Sequence, residues 1–245
     1  MNETKVPEVT ALFWCIKIAA TTLGETGGDA VTMTLNWGYL AGTILFAVLL
    51  GALILAQIRA EKFQPLLYWA TRIASTTFGT TMADFATRSL GIGYTGGSAL
   101  LLVCLLAALG GWYWSEGTIS VTSVRTARVE VFYWTAITFS QTLGTALGDW
   151  VADTNGLGYV GGAGLFGGAL VVLLLLYWRT GISRVLLFWS AFILTRPLGA
   201  MLGDLLDKPV AAGGFNLSRP GASAVLGAFI LACLLLVPQR AGRAH

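Results

Sequence analysis

The chain has 245 residues, of which 56% are hydrophobic and only 11% charged, and its mean hydropathy is +0.73. Soluble domains usually carry about 25% charged residues, so this composition excludes one and points to an integral membrane protein. The net charge of +3 comes from scattered bases rather than a basic patch, which excludes a nucleic-acid partner as an expectation.

The N-terminal stretch MNETKVPEV lacks a basic segment, a short apolar core and a small-residue cleavage site, so no cleaved signal peptide is expected. Uncharged stretches occupy 30–58, 89–115, 154–178 and 220–239. Each reaches the roughly 20 residues that a helix needs to cross the hydrocarbon. Eight transmembrane helices are predicted, near 9–32, 37–58, 65–88, 93–115, 129–153, 157–178, 184–207 and 220–238. The first carries Lys17, Thr21, Thr22, Glu25 and Asp29. The second is almost purely apolar. The third carries Arg72, Thr76, Thr77, Thr80 and Asp84, and the fourth is again apolar. The fifth carries Gln141, Thr142, Thr145 and Asp149. The sixth is apolar, the seventh carries Arg196, Pro197 and Asp204, and the eighth is apolar. Pro197 is expected to kink its helix and free a carbonyl.

This alternation is a fourfold internal repeat. Trp14, Trp69, Trp134 and Trp189 anchor it, each preceded by Phe or Tyr. Ten residues on comes a glycine, at Gly24, Gly79, Gly144 and Gly199. Fourteen on comes a small residue, at Gly28, Ala83, Gly148 and Gly203. Fifteen on comes Asp29, Asp84, Asp149 or Asp204. Anchor spacings of 55, 65 and 55 suggest a two-repeat unit that was itself doubled. The repeats run approximately over 6–58, 63–115, 128–178 and 184–238 in one transmembrane domain, 1–245.

With two spans per repeat, all four repeats enter the membrane from the same side. Lys5, Arg59, Lys62, Arg125, Arg128, Arg179, Arg184, Arg240 and Arg243 gather on one side, against Arg88, Lys208 and Arg219 on the other. The positive-inside rule makes the first side cytoplasmic, with both termini there. The four tryptophans then read as an aromatic belt at that interface. Cys15, Cys104 and Cys233 form no paired framework and read as small buried hydrophobes. The one histidine, His245, is terminal, so a site of imidazole ligands is not expected.

Residues at 3, 7, 8, 11 and 15 positions after each Trp share one helical face. Each odd helix therefore carries a polar stripe, which lipid does not tolerate. Odd helices are expected inside and even helices outside. The small-xxx-small glycines read as close packing. Asp29, Asp84, Asp149, Asp204 and Glu25 are intramembrane acids, with Lys17, Arg72 and Arg196 as charge partners or a gate. Oxygen ligands from Thr21, Thr22, Thr76, Thr77, Gln141 and Thr142 would suit a hard cation or a proton. The four aspartates are the candidate metal ligands.

The Trp/Gly/Asp pattern resembles a bacterial family of uncharacterised membrane-anchored proteins. That resemblance spans about Val6 to Val237 and implies four tandem two-helix repeats of unknown function in the inner membrane. The fourth repeat departs most, with Arg196-Pro197 where the others have Thr or Gln followed by Thr. The expected function is a transporter or channel for a small cation (divalent metal, sodium or proton). The alternatives are a proton-coupled transporter of a small polar solute, or a scaffold or sensor with a closed ion-pair core. No HExxH, GxSxG or Cys/His pair suggests an enzyme, and no cofactor is expected. The expected partners are the lipid bilayer and the small cation or polar solute, with a homo-oligomer left open.

Overall fold

The computed structural model describes residues 3–154 and 156–243, and His245 lies outside them. The chain is all-helical apart from one short ribbon. Its eight long helices are α1 (Ala11–Asp29), α2 (Tyr39–Arg59), α3 (Pro65–Asp84), α4 (Tyr94–Glu116), α5 (Ala127–Asp149), α6 (Gly158–Arg179), α7 (Arg184–Asp207) and α8 (Arg219–Leu236). Five of them, α2, α4, α6, α7 and α8, are long and apolar enough to cross a membrane. The polar stripes keep α1, α3 and α5 out of that set.

Local sequence sets the helix ends. Thr10, Thr126 and Ser218 cap α1, α5 and α8 by accepting a bond from the backbone N–H three residues on. Pro65 and Pro220 sit in the first turns of α3 and α8, where a missing N–H costs nothing. Gly38 and Gly93 start α2 and α4 with positive φ, a conformation glycine adopts without strain. After Asp29, Asp84 and Asp149 the helix does not stop. It widens into a five-residue π-turn, at Ala30–Thr34, Phe85–Ser89 and Trp150–Thr154. The α7 helix has no such turn and runs through Pro197 without a break to Asp207. Three of the four aspartates thus stand at an α-to-π junction, a device often found at functional sites.

The odd helices form a closed ring. Helix α1 packs on α3, α3 on α5, α5 on α7, and α7 on α1. One relation repeats at each step. A Cβ on Gly24 would lie 2.5 Å from the Thr76 Cβ, one on Gly79 2.9 Å from the Gln141 Cβ, one on Gly144 2.5 Å from the Arg196 Cβ, and one on Gly199 2.5 Å from the Thr21 Cβ. So the glycine of each repeat receives the residue at the seventh stripe position of the next, and the fourth repeat receives the first. The even helices lie outside and shift by one repeat in the same sense: α2 packs on α3, α4 on α5, α6 on α7, and α8 on α1. Each two-helix unit of sequence is therefore split in space, and its second helix buttresses its neighbour.

Aromatic side chains close the tryptophan end of the ring. Phe13 meets Trp69 at 5.6 Å between centroids, Tyr68 meets Trp134 at 5.7 Å, and Phe188 meets Trp14 at 5.8 Å. At the third step Trp112 of α4 wedges in, 6.2 Å from Tyr133 and 6.0 Å from Trp189. The Tyr68 and Tyr133 hydroxyls bond each other at 2.6 Å. The aromatic-belt expectation is corrected here: Trp69, Trp134 and Trp189 are buried and Trp14 is half-buried, because the aromatic rings of neighbouring repeats pack on one another at this end. The cysteines are corrected too. Cys15 is exposed, and Cys104 and Cys233 are half-buried, the last packed against the core.

The two chain ends pair at this same end. Strand β1 (Glu3–Pro7) lies antiparallel to β2 (Ala241–Arg243). The Lys5 ammonium donates to the carbonyls of Ile58 at 3.1 Å and Gln57 at 3.4 Å, and to the buried Glu130 carboxylate. This one side chain ties the N-terminus to the C-terminal turn of α2, where a cation is favoured by the dipole, and to α5.

Candidate functional site

The ring encloses the polar stripes in three levels. At the aspartate end all four repeat aspartates are buried, and they are brought together in two pairs rather than as one set of four. The Arg88 guanidinium, one turn beyond Asp84, bonds Asp84 at 2.8 Å and reaches Asp149 of the next repeat at 3.9 Å. The Lys208 ammonium, one turn beyond Asp204, bonds Asp204 at 3.0 Å and Asp29 of the next repeat at 2.9 Å. The second and fourth repeats thus supply equivalent cations, and the doubled two-repeat unit is visible as a twofold relation. Arg219 adds a bond to Asp207 at 2.8 Å and an approach to Asp29 at 3.7 Å. Burial alone would lower the pKa of Lys208, but Asp204, Asp29 and Asp207 outweigh that and hold it above its ordinary value.

The metal expectation meets a specific obstacle. Asp29, Asp204 and Asp207 are the one group of acids, among the described residues, whose oxygens lie within 4.8 Å of one another. Lys208 already places its charge between two of them. Asp84 and Asp149 stand around Arg88 instead. Each cluster supplies its own cation.

The middle level centres on Arg196, which is fully buried on α7. Its Nη2 bonds the Glu25 carboxylate at 3.0 Å and the Thr80 hydroxyl at 2.6 Å, and it also donates to the Thr145 hydroxyl. Glu25, Thr80 and Thr145 hold the same stripe position in repeats one, two and three. One guanidinium from the fourth repeat therefore ties the other three across the axis.

The third level lies nearer the tryptophan end and is cationic. The Lys17 ammonium donates to the Phe192 carbonyl at 2.9 Å and to the Thr195 hydroxyl. The Arg72 guanidinium lies 4.3 Å above the Phe192 ring, on which Lys17 also sits, at 4.1 Å. Arg72 is 1% exposed, and none of its three side-chain nitrogens has a hydrogen-bond partner among the described residues. Both amide atoms of Gln141 are likewise buried and unpartnered.

The predicted threonines divide into two kinds. Thr22, Thr77 and Thr142 bond back to their own helices, to Ile18, Ile73 and Thr138 carbonyls at 3.0, 2.9 and 3.1 Å. Thr21 and Thr76 bond their own helices at 2.8 Å, to Ile18 and Ile73, and reach across to the Thr195 carbonyl at 3.3 Å and the Ala20 carbonyl at 3.1 Å. These five serve the ring rather than its axis. Sequence reasoning did not single out Arg88, Lys208, Arg219 and Asp207, which it treated as loop charge or passed over. The signal was present in two of them: Asp84/Arg88 and Asp204/Lys208 are spaced i,i+4 on a helical surface.

A lateral cavity of about 340 Å³ is apolar. It lies between α2, α3 and α5, lined by Leu50, Ile54, Phe78 and Trp134 among others, and contains none of the predicted site residues.

A ring of four polar helices buttressed by four apolar ones defines a pseudo-symmetric helical protein with several membrane-length helices, consistent with a membrane protein. The chain matches the family described as Repeat of Unknown Function (DUF347) four times, over residues 12–63, 67–118, 132–183 and 187–238, and it belongs to that family. Each match takes in one odd helix and the even helix that follows it. No curated protein and no solved structure matches the chain.

Proposed function

We propose that the chain is a proton-coupled transporter of a small polar solute, with the axis of the helix ring as its path. In this reading all eight long helices span the bacterial inner membrane. The odd helices are shielded from lipid by the even ones, and both termini and the aromatic end face the cytoplasm, where most bases cluster. The single observation that carries it is the unpaired Arg72. A closed structural core would be neutralised throughout, because an uncompensated buried charge costs several kcal/mol. At the aspartate end each cluster of acids holds a cation of its own, but no acid pairs with Arg72 among the described residues.

Two further features favour a solute with protons over a cation passing alone. Arg196 and, one level on, Arg72 and Lys17 side by side place three cations along the axis, a barrier of the kind that excludes cations from pores. At the aspartate end five carboxylates share three cations. Each half of the ring then holds one carboxylate in excess of its bases, and an excess acid in a dry site is a proton acceptor.

Proteoliposomes loaded with a pH-reporting dye test this. A gradient of the transported solute, drawn from a panel of small organic acids, inorganic anions, sodium, potassium and magnesium, should move protons with it. The Asp84→Asn/Asp149→Asn pair should slow that movement by about tenfold or more, since the proton site is lost. Proton movement equal to that of protein-free liposomes across the whole panel would exclude transport.

A further inference from the structure

Lys17 and Arg72 sit over the same Phe192 ring, at 4.1 and 4.3 Å from its centroid, and Arg196 lies one turn further along the helix that carries the ring. Three cations and one carboxylate, Glu25, make up the middle and cationic levels of the axis. The Phe192 ring supports the Arg72 guanidinium from one face. A ring beneath the plane leaves the in-plane N–H groups without acceptors, and all three nitrogens lack one. Lys17 gives two of its three N–H donors to neutral oxygens, which leaves one. Gln141, on the neighbouring helix and one turn further along, offers an unpartnered amide. Arg196 at the same stripe position as Gln141 has Nε and Nη1 to spare. Every one of these groups is at most 1% exposed.

We infer that Arg72, Lys17, Gln141 and the free edge of Arg196 form a binding site for a small oxyanion, either a carboxylate or an inorganic oxyanion. A guanidinium edge presents two parallel N–H donors, which match two oxygens of one anion better than a spherical halide. The anion is small because glycine-mediated contacts hold the four helices close around this level. Its arrival would offset charge at the one level of the axis where cations stand without an acid. As a substrate site it rests on the transport reading above, and it names the solute class. As a binding site it stands apart from that reading.

Calorimetric titration of the full chain in lipid nanodiscs tests it, at constant ionic strength with a bulky sulfonate as background anion. Acetate, nitrate, phosphate and chloride are the probes. At least one of the three oxyanions should bind saturably, and more tightly than chloride by about tenfold or more, as expected for bidentate recognition. Arg72→Gln should weaken that binding by a similar factor. If Arg72→Gln is not monodisperse, Arg72→Lys replaces it, and should lose the preference for the oxyanion over chloride. Absence of saturable oxyanion binding to the wild-type protein overturns the site, as does unchanged binding and preference in the variants. Binding without flux in proteoliposomes overturns the transport reading alone, and flux without binding overturns the site alone.

Discussion

Gly199 in the fourth repeat faces Thr21 in the first, with room for no Cβ between them. That contact closes the ring. It is the same relation that joins Gly24 to Thr76, Gly79 to Gln141 and Gly144 to Arg196, carried across the two ends of the sequence. The aromatic contacts and the Arg88 and Lys208 bridges obey the same step from each repeat to the next.

Ring glycines should therefore be far less tolerant than their neighbours. Gly24→Ala and Gly199→Ala each place a methyl against a threonine main chain and side chain, and overpacking of this kind costs about 1–3 kcal/mol. Gly27→Ala, whose Cβ would meet only the Ser223 hydroxyl at 3.9 Å, should be neutral or stabilising by up to about 1 kcal/mol from helix propensity. Thermal unfolding of the three purified variants in detergent checks this. Equal melting temperatures for all three would contradict the tight ring.

Loss of either bridging cation should destabilise the protein. Lys208→Met leaves Asp29 and Asp204 without their shared ammonium, and breaking a buried pair costs about 3–5 kcal/mol. Arg88→Met should cost less, since the Arg88 side chain is 37% exposed against 14% for Lys208. Thermal unfolding of both variants in detergent checks this. Melting temperatures equal to that of the wild type would count against the pairing.

Arg196 and Glu25 should be strongly coupled. Arg196→Met strands the Glu25 carboxylate among Thr80 and Thr145, whereas adding Glu25→Leu removes the stranded charge. The double variant should be more stable than Arg196→Met alone, with a coupling energy of about 1–3 kcal/mol in a double-mutant cycle. Strict additivity of the two changes would mean that the buried pair holds nothing together.

Much of this architecture is legible in the sequence because it is written four times. The Trp/Gly/Asp spacing marks the odd helices, and their predicted ends fall within a few residues of the observed ones, with 184–207 matching α7. The stripe residues Lys17, Arg72, Arg196 and Glu25 do meet inside. Partner choice is what the sequence left hidden. Nothing in a linear repeat says that α2 will pack on α3 rather than on α1, because that depends on the sense of the ring's rotation. The burial of the tryptophans is not legible, because an aromatic near a helix end looks the same whether it faces headgroups or a neighbouring Tyr68. Arg88 and Lys208 looked like loop charge, and only the π-turn after Asp84 and the fold of the last loop bring them back over the aspartates.

The central claim is that the ring's axis is a path and not a sealed core. Thr80 lies on that axis, fully buried against Arg196. With Cys15, Cys104 and Cys233 replaced by Ala, Thr80→Cys should react with a small, membrane-impermeant thiol reagent in intact membranes, as the protein cycles through states open to one side. The rate should fall when a bound oxyanion holds the axis closed. If Thr80→Cys stays unmodified until the protein is unfolded, the axis is a structural core and the transport account is wrong.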